Sequence, residues 1–183
     1  MKQLERSGRG IWYATRLILI IVMILALGWF VFMVGYNASN LYILASEGLN
    51  LRAACVLQNG SLVELTEYFT QDFLSNDTIL YQSTYSDYTV SDYLYKLSVE
   101  RVSVWPWSTE AELRVVERVD LTGSVNKDVL DENETAADYP LPPWEAGRYD
   151  IHFVKSGGRW YISELKLLER SPADQDLRTP DLS

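Results

Sequence analysis

The sequence has very little of the two residue types that most often carry nucleophilic and metal chemistry. It contains one cysteine, Cys55, and one histidine, His152. A single cysteine cannot form a disulfide bond within the chain, so any folded domain must be stabilised by packing. The same scarcity excludes a zinc site built from cysteines or several histidines, and a catalytic triad would have to use His152. We therefore expect no metal or other cofactor, and we favour a protein that is not an enzyme.

Basic residues are also scarce. The chain has 16 Lys and Arg residues against 25 Asp and Glu residues, and its net charge is −9. Nucleic-acid binding requires Lys and Arg residues clustered on one face. The charge balance therefore argues against nucleic acid as a partner.

Charged residues are missing from a long apolar run. Leu17 to Gly35 contains no Asp, Glu, Lys, Arg, Asn or Gln, and a helix needs roughly 20 apolar residues to cross about 30 Å of hydrocarbon. Aromatic rings, which settle between lipid and water, stand near both ends, namely Trp12, Tyr13, Trp29, Phe30, Phe32 and Tyr36. We predict a transmembrane helix over residues 17–36, with the lipid bilayer as its partner.

The charges around this run predict its orientation. The first 16 residues contain four bases and one acid: Lys2, Arg6, Arg9, Arg16 and Glu5. Residues 37–183 carry −12, since the whole chain carries −9. Basic residues favour the cytoplasmic side. We expect a single-pass protein of the plasma membrane, with residues 1–16 as a short cytoplasmic segment and the C-terminal domain extracytoplasmic.

A cleaved signal peptide is the alternative, with cleavage near Ala38 or Ser39. Signal peptides usually have an apolar region of about 7–15 residues that ends in small side chains, whereas this run ends in bulky aromatic residues. A lipid-modified Cys55 is disfavoured because Arg52 stands where an apolar residue is required. An uncleaved anchor is the better interpretation.

Residues 38–169 have the length of one domain with its own core, followed by a polar tail, 170–183, that we expect to be disordered. The spacing predicts a helix from Ala38 to Leu57 that leaves the membrane directly or after a short break near Asn37. A second amphipathic helix is predicted for "SLVELTEYFTQDFLSND", residues 61–77, with Ser61 and Glu64 forming a capping box.

The second half of the domain has the two-residue alternation of β-strands. A strand begins near Tyr93 and changes parity near Arg101, which predicts a bulge. "WPWS" turns the chain, and the return strand over 111–121 keeps apolar residues on one face, with Glu117 as the exception. A short helix around 129–137 is expected in the acidic loop 122–147. The final hairpin turns at Gly157 and Gly158.

The ending "YDIHFVKSGGRWYISELKLL", together with "YFTQDFL" as second helix, resembles the nuclear transport factor 2-like superfamily over roughly residues 40–169. This resemblance implies an α+β fold in which helices pack on a strongly curved antiparallel sheet to form a cone, and Trp160 enters that cone. One fold of this kind hosts isomerases, dehydratases, ligand carriers and interaction modules, so the resemblance does not decide the function.

Large aromatic residues are the candidates for contact or ligand binding, since they combine apolar area with a polar tip. The candidates are Tyr81, Tyr85, Trp105, Trp107, Tyr149 and Trp160. The alternative is that some are core residues and the others rim a loop. His152 is not favoured as a catalytic group, because Tyr149 and its apolar neighbours occupy the other face of the strand.

We expect a membrane-anchored interaction or assembly domain of an envelope complex, of the secretion, conjugation or sporulation type. Its layout resembles that of inner-membrane assembly components of type IV secretion and conjugation machines. The partners would be membrane proteins or further copies of the chain. The alternative is a small-molecule binding protein or isomerase-like enzyme. An enclosed cavity of about 300 Å³ or more, with a buried acid whose pKa is raised, would favour this alternative, and a cone filled by Trp160 would favour the interaction domain.

An uncleaved anchor makes one direct prediction. Protein isolated from membranes should retain its N-terminal residues, so its intact mass should match the full sequence. A mature chain that begins near residue 40 would contradict the membrane anchor.

Overall fold

Helix α1 dominates the structure, a computed structural model that describes residues 2–58, 60–130 and 135–170, with side chains from Trp12 onwards. It runs as one helix over Lys2–Gln58, so the two helices predicted for 17–36 and 38–57 are directly joined. Its most apolar 18-residue window has a mean hydropathy of 3.1 and is not buried by the protein. Length and composition are compatible with a single-pass transmembrane helix.

The C-terminal part of α1 forms one wall of the domain core. Leu41, Ala45, Leu49 and Ala53 recur every four residues and are at most 2% exposed. Spacing of this kind places side chains along one face of a helix. The side chains of residues 12–29, in contrast, are all exposed. The same helix therefore changes from an all-round apolar surface to a one-sided core face.

The second predicted helix, over 61–77, is wrong as a single element. The segment forms a 3-10 helix over Glu64–Glu67 and a short helix α2 over Gln71–Asn76. The backbone between them pairs with the last strand, because the amide of Ile162 donates to the carbonyl of Tyr68 at 2.8 Å and the amide of Thr70 to the carbonyl of Ile162 at 2.9 Å. These tertiary hydrogen bonds interrupt the helix that the apolar spacing favours.

The predicted capping box at Ser61 is also wrong. The 3-10 helix starts after Val63 without a side-chain cap. Thr70 caps α2 instead, since its hydroxyl accepts a hydrogen bond from the amide of Phe73 at 3.2 Å. A cap forms where the helix actually starts, and the strand-like backbone at Phe69 and Thr70 moves that start by nine residues.

Four strands form one antiparallel sheet: β1 (Tyr88–Ser103), β2 (Glu110–Val125), β3 (Gly147–Ser156) and β4 (Arg159–Arg170). Their spatial order is that of the sequence, with β1 and β4 at the edges of an open sheet. The predicted α+β class and antiparallel sheet are confirmed. The strong curvature of a cone stays a prediction.

Local features of both hairpins agree with the sequence pattern. The β1–β2 register shifts between Val99 and Arg101, which confirms the predicted bulge. Gly157 and Gly158 turn the second hairpin with φ of +58° and +85°, values that other L-residues rarely adopt. Glu117 lies on the inward face of β2 and is 3% exposed.

Two other predictions fall partly on residues that the structure does not describe. The acidic loop contains 3-10 helices over Lys127–Val129 and Ala136–Asp138, but residues 131–134, in the middle of the helix predicted for 129–137, lie outside the described residues. Arg170 belongs to β4 and not to the predicted tail. Residues 171–183 lie outside the described part of the chain.

Gly147 marks a tight place where β3 starts. A Cβ atom there would overlap the carbonyl oxygen of Glu169 and lie 2.9 Å from a methyl carbon of Leu167. We expect Gly147→Ala to lower the free energy of unfolding of the domain by about 1–3 kcal/mol, since overpacking of this kind forces the backbone to shift.

Urea unfolding of the full chain in detergent, followed by tryptophan fluorescence, measures this effect. Gly28→Ala is the matched control, because an added Cβ at that position meets nothing within 4 Å. Equal unfolding midpoints for the two variants would contradict the prediction.

Candidate functional site

A cavity of about 410 Å³ opens between α1, α2 and the inner face of the sheet. Its wall combines apolar side chains with several carboxyl groups, and Arg52 is the only base among the described residues that line it. The apolar part consists mainly of Leu49, Phe73, Ile79, Leu165 and Leu167. The acids are Asp72, Asp77, Glu117, Glu145 and Glu164. Ligand sites are concave and combine apolar side chains with polar groups, and in this wall the polar residues outnumber the apolar ones.

Arg52 and Asp77 form a buried ion pair in this wall. Nε of Arg52 lies 2.5 Å from Oδ2 of Asp77, and Nη2 lies 2.9 Å from Oδ1. Their side chains are 8% and 7% exposed. Burial acts to lower the pKa of Arg52, but the hydrogen bond and charge of Asp77 outweigh it and hold that pKa above its ordinary value. Two-point contact of this kind compensates the cost of taking both charges out of water.

Asp77 also connects this pair to the backbone. Its carboxylate accepts a hydrogen bond from the amide of Ile79 at 3.3 Å and so caps the 3-10 helix Thr78–Tyr81. The ion pair therefore ties α1 to the segment that closes one side of the cavity.

Glu117 is the least satisfied group of the cavity. Its Oε1 and the hydroxyl of Tyr95 are buried, and neither meets the geometric limits of a hydrogen bond to a described residue, although Tyr95 and Trp144 lie close enough to Glu117 to act on its carboxyl group as hydrogen-bond donors. Burial raises the pKa of Glu117 above its ordinary value, while the charge of Arg52 and the nearby Tyr95 and Trp144 side chains act to lower it. A buried acceptor without a partner costs free energy, and a ligand that donates to Oε1 would remove that cost.

Of the six aromatic candidates, only Tyr149 lines this cavity. Its hydroxyl donates to the carbonyl oxygen of Glu145 at 2.7 Å, and burial raises its pKa. Tyr85 stacks on Trp144 with ring centroids 6.3 Å apart, donates to the carbonyl of Pro143 at 3.2 Å, and has its pKa raised by burial to about 12.

The other four candidates lie elsewhere. Tyr81 is 64% exposed, and its hydroxyl donates to the carbonyl of Leu74 at 3.1 Å. Trp160 is buried in the main apolar core, with Nζ of Lys155 5.4 Å from its ring centroid. Trp105 and Trp107 lie at the tip of the β1–β2 hairpin with their ring centroids 5.7 Å apart. The six residues thus do not form one site.

Sequence reasoning missed the polar residues that define the cavity. Glu117 gave a signal, since it breaks the apolar alternation of its strand. Arg52 gave a weaker one, as a charge between Leu49 and Ala53 on the apolar stripe of α1. Asp77 gave none, because its role depends on where the predicted second helix is interrupted.

Comparison with known proteins found no matching family model, no matching curated protein and no matching solved structure. Within the described residues, no group of three or more His, Cys, Asp or Glu side chains is arranged to hold a metal ion.

The buried ion pair predicts a large cost for losing one partner. Arg52→Met should lower the free energy of unfolding by about 3–5 kcal/mol, because the variant leaves the buried carboxylate of Asp77 without its cation. Arg114 is a matched control, since it makes a similar two-point contact with Asp150 (Nε–Oδ1 2.7 Å, Nη2–Oδ2 2.8 Å) on the outer face of the sheet, where the Arg114 side chain is 32% exposed. Arg114→Met should cost clearly less in the same urea experiment, and equal losses would contradict the importance of burial.

Glu117 predicts a dependence of stability on pH. Its pKa is raised in the folded state, so the folded protein binds a proton more tightly than the unfolded chain, and stability falls as pH rises from the ordinary pKa of Glu, about 4.3, to the raised value. Over that window the loss is about 1.4 kcal/mol per pH unit. Glu117→Gln should remove this fall and be the more stable protein at neutral pH. Urea unfolding at several pH values measures the free energy of unfolding of both proteins. A difference between the two free energies that stays constant across this pH range would contradict the prediction.

Proposed function

We propose that this chain is a single-pass membrane protein whose extracytoplasmic domain, of the nuclear transport factor 2-like type, binds a small organic cation in the cavity around Glu117. The observation that carries the proposal is the carboxyl group of Glu117, which is 3% exposed, lines a cavity of about 410 Å³ and has one oxygen without a hydrogen-bond partner in the described structure. A buried acceptor of this kind favours a ligand that donates a hydrogen bond to that oxygen.

The charge of the cavity supports a cation over an anion. Five carboxyl groups line it. Asp77 is paired with Arg52 and Glu145 with Arg170, which leaves Asp72, Glu117 and Glu164 as the acids that attract a cation. The electrostatic field of clustered acids in a partly desolvated cleft attracts positive charge. The apolar side chains of Phe73, Leu165 and Leu167 would contact an apolar body. A ligand with an ammonium group on a small hydrocarbon or aromatic frame fits both parts.

The membrane anchor supports a role at the cell surface. Basic residues precede the apolar run of α1, and acids outnumber bases in the chain after it, which supports a cytoplasmic N-terminus and an extracytoplasmic domain. Tethering also raises the effective concentration of the domain toward partners in the same bilayer.

The same carboxyl group would serve as the base of an isomerase-like enzyme, since desolvation raises the basicity of an acid. Ligand binding at Glu117 is the step that a carrier and an enzyme share. Binding of charged and neutral probes to the cavity tests that step.

A second candidate function is the assembly domain of an envelope complex, of the secretion, conjugation or sporulation type. The observation that favours it is β1, a 16-residue strand at the edge of the sheet. Edge strands offer unpaired backbone groups to a strand of a partner. Crosslinking from a Ser98→Cys position in intact cells, followed by pull-down, tests this function. A partner or a second copy crosslinked at β1 would support this function. If the crosslinks disappear only when α1 is exchanged for another apolar helix, the contact depends on α1 and the function of β1 is contradicted.

Three probes of similar size test the cavity: benzylammonium, neutral benzyl alcohol and anionic benzoate. We expect benzylammonium to bind at least about tenfold more tightly than either analogue, which corresponds to about 1.4 kcal/mol. Affinity should also fall as pH is lowered through the raised pKa of Glu117, because protonation removes the attracting charge. Isothermal titration calorimetry of the full chain in detergent measures both effects.

Glu117→Gln should abolish the preference for the cation while keeping the shape of the side chain. Glu112→Gln is the matched control, since it makes the same change on the same strand at a position paired with His152 on the other face. Preferred binding of benzoate, or equal loss in both variants, would overturn the proposed function.

A further inference from the structure

We propose that the tip of the β1–β2 hairpin, residues 105–109, inserts into the lipid interface beside α1 and gives the protein a second contact with the bilayer. This inference rests on the membrane anchor of the proposed function, but it does not depend on the cavity.

The tip packs directly on the apolar half of α1. The ring centroids of Trp105 and Trp107 lie 6.3 Å and 6.0 Å from that of Phe30, and 5.7 Å from each other. Phe30 is also the first described side chain of α1 that is half-buried, since the side chains of residues 12–29 are all exposed. The hairpin thus extends beyond the domain core and contacts the apolar run of α1.

The contact lies at the depth of the lipid interface. Phe30 is five residues before Gly35, where the apolar run Leu17 to Gly35 ends, and at 1.5 Å per residue this is about 7.5 Å inside the end of the run. Tryptophan rings settle at that boundary because one part is apolar and the indole N–H remains near water. The rings of the tip therefore join the aromatic belt formed by Trp29, Phe32 and Tyr36.

The tip keeps a large apolar surface beyond its contact with Phe30. Trp105 is 55% exposed and Trp107 is 73% exposed. No charged residue occurs between Arg101 and Glu110. Exposed tryptophans on an uncharged loop are costly in water and favourable in the lipid interface.

The β3–β4 turn places basic side chains next to the tip. Glu110 pairs with Val154, and the amide of Lys155 donates to the carbonyl of Thr109 at 2.8 Å, so the β3–β4 turn lies at the same end of the sheet as the tip. Lys155 and Arg159 flank that turn and are exposed. Basic side chains at this height can bind the phosphates of lipid headgroups while their stems lie on apolar surface.

Spin labels on the full chain in vesicles of phosphatidylcholine and phosphatidylglycerol test this contact. Single cysteines are introduced in a Cys55→Ala background by Thr109→Cys at the tip, Ser124→Cys at the far end of β2, and Leu25→Cys within the anchor. Collision of each label with oxygen, which concentrates in lipid, is compared with collision with a water-soluble nickel chelate. We expect oxygen to dominate at positions 25 and 109 and the nickel chelate to dominate at 124.

The three positions separate the possible failures. An aqueous label at 109 with a lipid-exposed label at 25 would overturn the second contact and leave the anchor intact. Aqueous labels at both positions would overturn the anchor as well. In the double variant Trp105→Ser, Trp107→Ser, the label at 109 should shift toward the nickel chelate while the label at 25 does not change, and an unchanged label at 109 would overturn the role of the two rings.

Discussion

The continuity of α1 is the constraint on which the rest of the structure depends. One helix of 57 residues carries both the apolar run and the wall of the domain core. A helix propagates its hydrogen-bond ladder from the core into the apolar run without a flexible linker. The position of the domain is therefore set by the same backbone that sets the position of the apolar run. The β1–β2 hairpin reinforces this arrangement, since its tip packs on Phe30.

The core of the domain contains a polar cluster that an ordinary packed core would not need. Arg52 and Asp77 satisfy one another, whereas Glu117 is buried with an oxygen that has no partner in the described structure. Replacing buried ionic groups by apolar residues is often neutral or stabilising. The domain is therefore less stable than it would be with apolar residues at these positions, and the positions lie where the cavity and the carboxyl group of Glu117 meet. Trp160, which the resemblance places inside a cone, lies in the apolar core and leaves this cavity open.

Much of the fold follows from local pattern. The apolar run, the period of α1, the bulge near Arg101 and the turn at Gly157 and Gly158 all depend on neighbouring residues, and the sequence predicts them. The interruption of the helix over 61–77 does not, because it arises from hydrogen bonds to Ile162, about ninety residues away in sequence.

The candidate site is less predictable for the same reason. Glu117 is visible as a break in alternation, but its meaning depends on Arg52 and Asp77, which come from two other elements. The aromatic residues that composition highlights are divided among the cavity, the apolar core and the hairpin tip. Only the three-dimensional arrangement assigns each of them a place.

The length of α1 also sets the distance between the cavity and the end of the apolar run. Arg52 stands 16 residues beyond Tyr36, which places it about 24 Å along the helix axis from the end of the span. The headgroup layer of a bilayer is only about 5–8 Å thick on each side. In the proposed membrane orientation the cavity therefore faces the aqueous space above the membrane, and the proposed ligand would arrive by diffusion through water and not by lateral movement within the lipid.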